Sequence, residues 1–182
     1  MPGKDGTTMG RRRRNGRSYY PEPVSALRLS LRVRHAVRAL IAIALREDPS
    51  PLTAREIAER EDMSTLSLHQ ILFRLMRAGI VKGARGPAGG YVLASDPESI
   101  TLADIVRAVE GPVALTKCTN EELQKPRCPR EASCGAKPLW ERLNRLILDA
   151  LESITLADIC KEARRAQAEE GAPKGAKEAR GT

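Results

Sequence analysis

A glycine-rich segment, residues 83–90, lies between two short runs of β-prone residues. Its sequence is Gly-Ala-Arg-Gly-Pro-Ala-Gly-Gly. A helix cannot run through such a segment, because proline lacks an amide hydrogen and glycine disfavours the helix. The flanking runs, residues 80–82 and 91–93, have the composition of strands. The segment therefore predicts a β-hairpin in a chain whose other patterns are helical.

Three helices are expected before this hairpin. Apolar residues recur at helical spacing over residues 30–46. Thr53 and Glu56 form a capping-box pattern at the start of a second helix. Ser64 is expected to cap a third helix, which Gly79 ends. The order of three helices and a hairpin predicts a winged helix-turn-helix domain, so the fold class is mainly α with a small β-hairpin.

The third helix would place one face on the core and another in the major groove of DNA. The core-facing positions are expected to be Leu68, Ile71, Leu72, Leu75 and Met76. The candidate DNA-contacting residues have small or polar side chains that hydrogen-bond bases and phosphates: Ser64, Thr65, Ser67, His69 and Gln70. The alternative is a solvated face on another kind of small helical domain.

The hairpin tip predicts a second DNA contact. Arg85 at this tip has the reach and charge to enter a minor groove. Gly86 and Gly89 allow the backbone to turn tightly and approach phosphates. Any exposed hairpin rich in glycine and proline can carry an arginine. The DNA-binding interpretation of Arg85 therefore depends on the three helices predicted before the hairpin.

Positive charge lies in the amino-terminal half of the chain. The net charge is +8, and residues 25–95 carry eleven basic and six acidic side chains. This distribution indicates a polyanionic partner, most often nucleic acid. The arginine run at 11–14 adds either phosphate contacts or solubility. The chain has no apolar run long enough to span a membrane, so a cytoplasmic protein is expected.

Three cysteines, Cys118, Cys128 and Cys134, follow the hairpin with the spacing C-x9-C-x5-C. Three thiolates in one flexible segment can converge on a metal ion or an iron–sulfur cluster. Zinc binding, a thiol–disulfide switch and thiols without a ligand are the alternatives. Cys160 lies at an apolar helix end, where an ordinary buried cysteine is expected.

A long helix is expected from Pro138 onward. Its apolar stripe consists of Leu139, Leu143, Leu146, Ile147, Ala150, Leu151 and Ile154. Such a stripe suits pairing with a second copy, and packing onto its own domain is the alternative. A homodimer would present two recognition helices to a double-stranded DNA operator of pseudo-palindromic sequence.

These patterns divide the chain into four parts. The parts are a disordered basic arm at 1–24, a winged helix-turn-helix domain at 25–98, the cysteine loop with the dimerisation helix at 99–160, and a disordered tail at 161–182. The sequence Ser-Ile-Thr-Leu-Ala-Asp-Ile occurs at both 99–105 and 153–159, and predicts two similar helix starts. No catalytic constellation is recognised, so an enzyme is not expected. A helical metalloenzyme that uses the cysteines is the alternative in that class.

The chain resembles the IscR/NsrR/RirA family of iron–sulfur transcriptional regulators over about residues 27–160. The capped second helix, the motif Arg-Gly-Pro-Ala-Gly-Gly-Tyr at 85–91 and the cysteine loop carry the resemblance. It implies a homodimeric regulator of transcription that senses redox, nitric oxide or iron–sulfur status. It implies DNA contacts from Ser64, Ser67, His69, Gln70 and Arg85, with Arg28 nearby on the DNA backbone. It also implies an iron–sulfur cluster, of the 2Fe–2S or 4Fe–4S type, on the three cysteines.

Three positions depart from the family's pattern. His69 stands where IscR-like proteins have an acidic residue that helps to select operators, so the IscR operator is not expected to carry over. Lys137 stands at the position of the histidine that is the fourth cluster ligand of IscR. Arg34 stands at the position of the acidic residue that is the fourth ligand in NsrR-type proteins. A protonated lysine is a poor iron ligand. The fourth ligand is therefore not identified from the sequence.

Overall fold

The structure, a computed structural model, describes residues 29–48, 50–84, 86, 89–123 and 127–171. The helices and strands are α1 (Leu31–Ala44), α2 (Ala54–Arg60), α3 (Thr65–Arg77), β1 (Val81–Ala84), β2 (Gly90–Leu93), α4 (Leu102–Glu110), α5 (Lys137–Glu152) and α6 (Leu156–Gly171). Three short 3₁₀ turns lie between them, at Pro97–Ser99, Lys117–Thr119 and Glu131–Ser133. The fold is mainly α with a small antiparallel hairpin, as predicted. The predicted basic arm lies outside the described residues.

A tight turn joins α2 to α3 and makes the helix-turn-helix. The predicted capping box opens α2, since Glu56 N donates to Thr53 Oγ1 at 3.1 Å and Thr53 N donates to Glu56 Oε2 at 2.7 Å. After α2, Asp62 adopts a left-handed backbone with φ +49°. Met63 N then donates to Ala58 O at 2.9 Å. This bond closes a Schellman turn, with aspartate at the position that glycine usually occupies.

Helix α3 begins and ends where the sequence predicts. Ser64 has the extended backbone of an N-cap, and the described structure shows no capping bond from its hydroxyl group. At the other end, Gly79 has φ +72° and Ile80 N donates to Leu75 O at 3.0 Å. This is a second Schellman turn, here with glycine at the left-handed position. It leads the chain directly into β1.

The hairpin pairs β1 with β2 and rests on the segment before α2. Val81 lies opposite Leu93, and both strands reach closer to the hairpin tip than predicted. Tyr91 and Leu52 exchange two backbone hydrogen bonds, at 2.8 and 3.2 Å. A Cβ on Gly90 would lie 2.5 Å from Leu52 O, so no larger residue fits without moving the backbone. The hairpin is thereby fixed to the helix-turn-helix.

One cluster of buried aliphatic side chains joins α1, α2, α3, α4 and α6. Its largest fully buried members include Leu40, Ile57, Leu68, Ile71, Leu72, Leu75, Ile105 and Leu156. The cluster runs across residue 98, where the sequence predicts a domain boundary. Met76, predicted to face the core, is instead 38% exposed. It lies at the edge of the buried face of α3, where the 100° turn per residue carries it toward solvent.

The two copies of the repeated sequence form similar helix starts, as predicted. Thr101 N donates to Asp104 Oδ2 at 3.0 Å, and Asp104 N donates to Thr101 Oγ1 at 3.1 Å. Thr155 and Asp158 make the same pair of bonds at the start of α6. The bonds from Thr155 lower the pKa of Asp158 below its ordinary value, since they stabilise the carboxylate.

The two helix starts also pair with each other. Leu102 N donates to Ile154 O and Leu156 N donates to Ile100 O, both at 2.8 Å. This antiparallel bridge joins the chain before α4 to the chain after α5. It also corrects one prediction, because Ile154 was expected on the apolar stripe of the long helix. The helix ends at Glu152, and Ile154 belongs to the bridge instead.

Helix α6 continues into the segment where a disordered tail is predicted. The tail was expected from residue 161, whereas α6 reaches Gly171. Residues 161–169 consist of Lys, Glu, Ala, Arg and Gln, which are strong helix formers. Cys160 is buried in the core at the start of this helix, as predicted, and burial raises the pKa of its thiol. Residues 172–182 lie outside the described residues.

Candidate DNA interface and cysteine loop

The start of α3 is open to solvent. The five polar residues predicted to contact DNA are all exposed: Ser64, Thr65, Ser67, His69 and Gln70. The backbone amides of a helix N-terminus carry partial positive charge and attract phosphates. The five side chains are therefore accessible to a ligand at the amino-terminal end of α3.

Gln70 and three further side chains define the outermost line of α3. Leu66, Gln70, Phe73 and Arg77 recur at intervals of three or four residues, opposite the buried face. Leu66 is 72% exposed and Phe73 is 57% exposed. Of these four, only Gln70 was predicted from the sequence. The signal was present, because these positions lie opposite the buried leucines when the helix is drawn at 100° per residue.

The same part of the chain is free of acidic residues. Residues 63–95 contain neither aspartate nor glutamate. They contain four basic residues: Arg74, Arg77, Lys82 and Arg85. Arg74 also has a structural role, since its Nη1 donates to Val109 O at 2.9 Å in the last turn of α4. A surface with this composition suits a polyanion.

The tip of the hairpin is described only in part. Gly86 has φ +122°, and Gly89 N donates to Gly86 O at 2.9 Å. A Cβ on Gly89 would lie 3.0 Å from Ala84 O, so this turn is as tight as its glycine content predicts. Arg85 and Arg28, both predicted to lie at DNA, fall outside the described residues.

An arginine of α1 fixes the turn before α3. Arg38 Nε donates to Glu61 Oε2 at 2.9 Å, and Arg38 Nη2 donates to Glu61 O at 2.7 Å. The guanidinium thus binds both the side chain and the backbone at the end of α2. No sequence pattern indicates this contact, because the partners lie 23 residues apart along the chain. Its effect is to hold the orientation of α3 relative to α1.

The three clustered cysteines lie on the cysteine loop, residues 111–137. Cys118 lies in one 3₁₀ turn, with its Sγ 3.1 Å from Thr116 Oγ1, and is half-buried. Cys128 is exposed, and Cys134 follows the next 3₁₀ turn and is half-buried. None of them forms a disulfide. Over the residues that the structure describes, they are not assembled with other donors into a metal-binding group.

Lys137, which stands where the resemblance puts the histidine ligand of IscR, is held in an ion pair. Its Nζ donates to Glu131 Oε1 at 2.9 Å, and both side chains are half-buried. The hydrogen bond to Glu131 raises the pKa of Lys137, and the same bond lowers the pKa of Glu131. Lys137 and Glu131 line a cavity of about 660 Å³ that also reaches Cys118. The ammonium group has no lone pair for a metal, so Lys137 is not a ligand in this arrangement.

Helix α5 exposes leucines and buries an asparagine. Leu139, Leu143 and Leu146 are all exposed. Asn144 is the one buried residue of this helix, and its Oδ1 accepts a hydrogen bond from Leu115 N at 3.0 Å. The helix therefore contacts the start of the cysteine loop through a polar group. Much of its apolar surface has no cover within the described part of the chain.

A helix-turn-helix, a recognition helix free of acidic residues and a β-wing together define a winged-helix DNA-binding protein. The Rrf2 family, described as iron-dependent transcriptional regulators, matches residues 29–162. The chain therefore belongs to the Rrf2 family of transcriptional regulators. No helix in the described ranges is long and apolar enough to cross a membrane.

Named relatives include regulators of two kinds. IscR of Vibrio campbellii is 35% identical over 136 residues, which cover 75% of this chain and 79% of that protein. The structure of T. potens IscR has a TM-score of 0.61 and 33% identity, and the match covers 78% of this chain and 91% of that one. CymR, the global cysteine regulator of B. subtilis, has a TM-score of 0.58 and 32% identity, with coverage of 75% and 98%.

Proposed function

We propose that this DNA-binding regulator binds its operator as a homodimer and adjusts that binding to redox, nitric oxide or iron–sulfur status. The sensing group is an iron–sulfur cluster on Cys118, Cys128 and Cys134. Helix α5 pairs with its copy in the second subunit, and each α3 enters one half-site of the operator.

One observation carries the proposal. The cysteine loop is connected directly to the exposed leucine face of α5, and no described residue of the loop is buried. A segment with so few buried contacts changes conformation at small free-energy cost. A change at the cysteines is therefore transmitted to the dimer helix, and from there to the spacing of the two recognition helices.

The DNA contacts come from α3 and the wing. Ser64, Thr65, Ser67, His69 and Gln70 would bind bases and phosphates in the major groove. Arg85 would enter the minor groove, while the backbone at Gly86 and Gly89 approaches phosphates. The exposure of the five α3 residues and the absence of acidic residues over 63–95 support this assignment. Arg28 would add a backbone contact before α1.

The three cysteines could supply three of the four protein ligands that an iron–sulfur cluster usually has. Three thiols on one loop are the ligands that iron–sulfur clusters use. Lys137 does not supply the fourth position, because Glu131 holds its ammonium group. The remaining iron ligand would come from another group or from solvent, which leaves that iron open to attack. The bound cluster would supply reactivity toward oxidants and nitric oxide, while the chain supplies the thiolates and the connection to α5.

A zinc site or a thiol switch is the second candidate. The exposed thiol of Cys128 favours the thiol switch, because it is accessible to oxidants. Such a protein would still be a DNA-binding regulator. Its DNA affinity would respond to thiol oxidation or zinc, and would be indifferent to the supply of iron.

Anaerobic purification distinguishes the two candidates. Iron, acid-labile sulfide and zinc are measured per protomer, together with the visible absorption spectrum. We expect a brown protein with iron and sulfide in equal amounts and sulfide-to-iron charge-transfer bands. A colourless protein with one zinc per protomer, or with neither metal, would overturn the cluster assignment.

Single cysteine variants test which thiols bind the cluster, and the fourth cysteine provides the matched control. Cys118→Ser, Cys128→Ser and Cys134→Ser are each expected to lose most of the iron, because each removes one thiolate ligand. Cys160→Ala should keep it, since Cys160 is buried in the aliphatic core. Equal iron content in all four variants would contradict the assignment of the ligands.

DNA binding is tested at the wing. Arg85→Ala is expected to weaken operator binding by about 1–3 kcal/mol and to reduce its salt dependence. Arg165→Ala is the control, because Arg165 lies on α6 and pairs with Glu169 at 3.7 Å. Fluorescence anisotropy at several salt concentrations measures both. An unchanged affinity for Arg85→Ala would remove the wing from the interface.

A further inference from the structure

Two large apolar side chains occupy the outermost line of the recognition helix. Leu66 and Phe73 are 72% and 57% exposed, and Gln70 lies between them on the same line. The buried face of α3 is complete without them, since Leu68, Leu72 and the other core residues fill it. Exposed residues of this size carry a cost in water, so their place at the centre of a binding face calls for a partner.

The surroundings of these residues specify what that partner is. Residues 63–95 have no acidic side chain, and Arg77 continues the same line. Phe73 also borders a groove of about 590 Å³ that Arg77 and Arg107 line. A protein partner with an apolar face would not require this positive frame, whereas a DNA duplex would. The charge complementarity therefore favours nucleic acid as the group that covers Leu66 and Phe73.

The major groove offers these side chains one apolar group. Leucine and phenylalanine have no hydrogen-bonding groups, so they cannot read the donors and acceptors of the base edges. Among the four bases only thymine presents an apolar substituent there, the C5-methyl group. Contact with this methyl removes apolar surface from water on both partners.

We propose that Leu66 and Phe73 select thymine at two positions of each operator half-site by contacting its methyl group. This inference rests on the proposed role of α3 in the major groove. The two side chains are seven positions apart in the sequence, which is roughly 10 Å along the helix axis. The two thymines should therefore lie about three base-pair steps apart. Gln70, between them, is placed to bind a base by hydrogen bonds.

Deoxyuridine tests the proposal, because it differs from thymidine only by the missing methyl group. A duplex is first selected by the full-length protein from a random-sequence pool, and each thymine is then replaced by deoxyuridine in turn. We expect about a fourfold loss of affinity at two thymines of each half-site and little change at the others. A selected duplex that shows no deoxyuridine effect at any position would overturn the proposal.

Side-chain variants show which residue contacts which thymine methyl group. On the thymine duplex, Leu66→Ala and Phe73→Ala should each lose about fourfold in affinity, and each should become indifferent to deoxyuridine at its own position. Gln70→Ala is the matched control from the same line of α3. It should lose affinity while keeping the full deoxyuridine penalty at both thymines. Circular dichroism checks that the variants fold, which their exposure leads us to expect.

The outcomes separate this proposal from the one on which it rests. If the protein selects no sequence from the pool, the proposed operator reading by α3 fails. If it selects a sequence but Leu66→Ala and Phe73→Ala retain the deoxyuridine penalty, only the methyl contact fails. If these two variants bind DNA normally but change the sedimentation coefficient, another copy of the chain covers this face and the proposal is wrong.

Discussion

The DNA-reading unit and the cysteine arm of this protein are held together in different ways. The DNA-reading unit comprises residues 31–110 with α6, and its residues surround one aliphatic cluster. The cysteine arm comprises residues 111–152, and its one buried residue among those described is the polar Asn144. Recognition of bases requires side chains in fixed positions, whereas sensing requires a segment that a small free energy can move. The distribution of buried surface thus separates the DNA-reading unit from the arm to which we assign the proposed sensing.

A pair of leucines should reveal the largest difference between the two regions. Leu72→Ala in α3 is expected to lower the free energy of unfolding by about 2–5 kcal/mol, because Leu72 is fully buried. Leu146→Ala in α5 should leave the folded protomer intact and weaken the proposed dimer by about tenfold, since such a dimer would lose two of these side chains. Urea unfolding and sedimentation equilibrium at one protomer concentration measure these effects. Equal destabilisation of the protomer by both variants would break the comparison.

A pair of glycines tests whether the DNA-reading unit is packed more closely than the cysteine arm. Gly90→Ala should destabilise the protein by about 3 kcal/mol, because the new Cβ would lie 2.5 Å from Leu52 O. Gly135→Ala, in the cysteine loop, should change stability by less than about 0.5 kcal/mol, since a Cβ there meets no atom within 4 Å. Thermal unfolding and operator binding are measured for both. The reading unit is less tightly packed than described if Gly90→Ala is tolerated.

The buried asparagine of α5 allows the arm to be loosened without disturbing the reading unit. Asn144→Ala removes the acceptor for Leu115 N and should cost about 1–2 kcal/mol of local stability. Amide hydrogen exchange should then speed up in the cysteine loop and α5, and remain unchanged in α1 and α3. Faster exchange throughout the protein would mean that the two regions unfold as one unit.

The smallest expected effects concern the two Schellman turns that flank α3. Asp62→Gly should stabilise the protein by about 0.5–1 kcal/mol, because glycine adopts a positive φ without strain. Gly79→Ala should destabilise it by about 1 kcal/mol through the backbone alone, since a Cβ there has open space around it. Chemical denaturation resolves both changes. The same sign for both variants would contradict the assignment of these turns.

Local features of the fold could be predicted from the sequence, whereas contacts between distant residues could not. The capping box at Thr53 and the helix end at Gly79 depend on neighbouring residues, and both are present. The repeated sequence predicted two helix starts, but nothing in it indicates that Leu102 and Leu156 belong to one bridge. The length of α6 differs from the prediction because a composition rich in Lys, Glu and Ala is typical of disordered tails and also favours helix.

The candidate DNA site was predicted in its polar part only. Ser64 and Gln70 were chosen because their side chains form hydrogen bonds, and the structure exposes both. Leu66 and Phe73 were overlooked because a large apolar residue is usually assigned to a core. The arrangement of the three cysteines depends on the course of a long loop, which spacing along the chain does not determine.

The bridge between the two helix starts has a consequence for how the chain is made. The segment between the bridged residues Thr101 and Thr155 comprises α4 and the cysteine arm, and its two ends meet because bridged strands lie only about 5 Å apart. The buried Leu156 and Cys160 of the core follow this segment. On the ribosome, the cysteine arm must therefore emerge before the DNA-reading unit can complete its core. In chain order the arm is therefore an insertion between α4 and α6, two helices that share one aliphatic core.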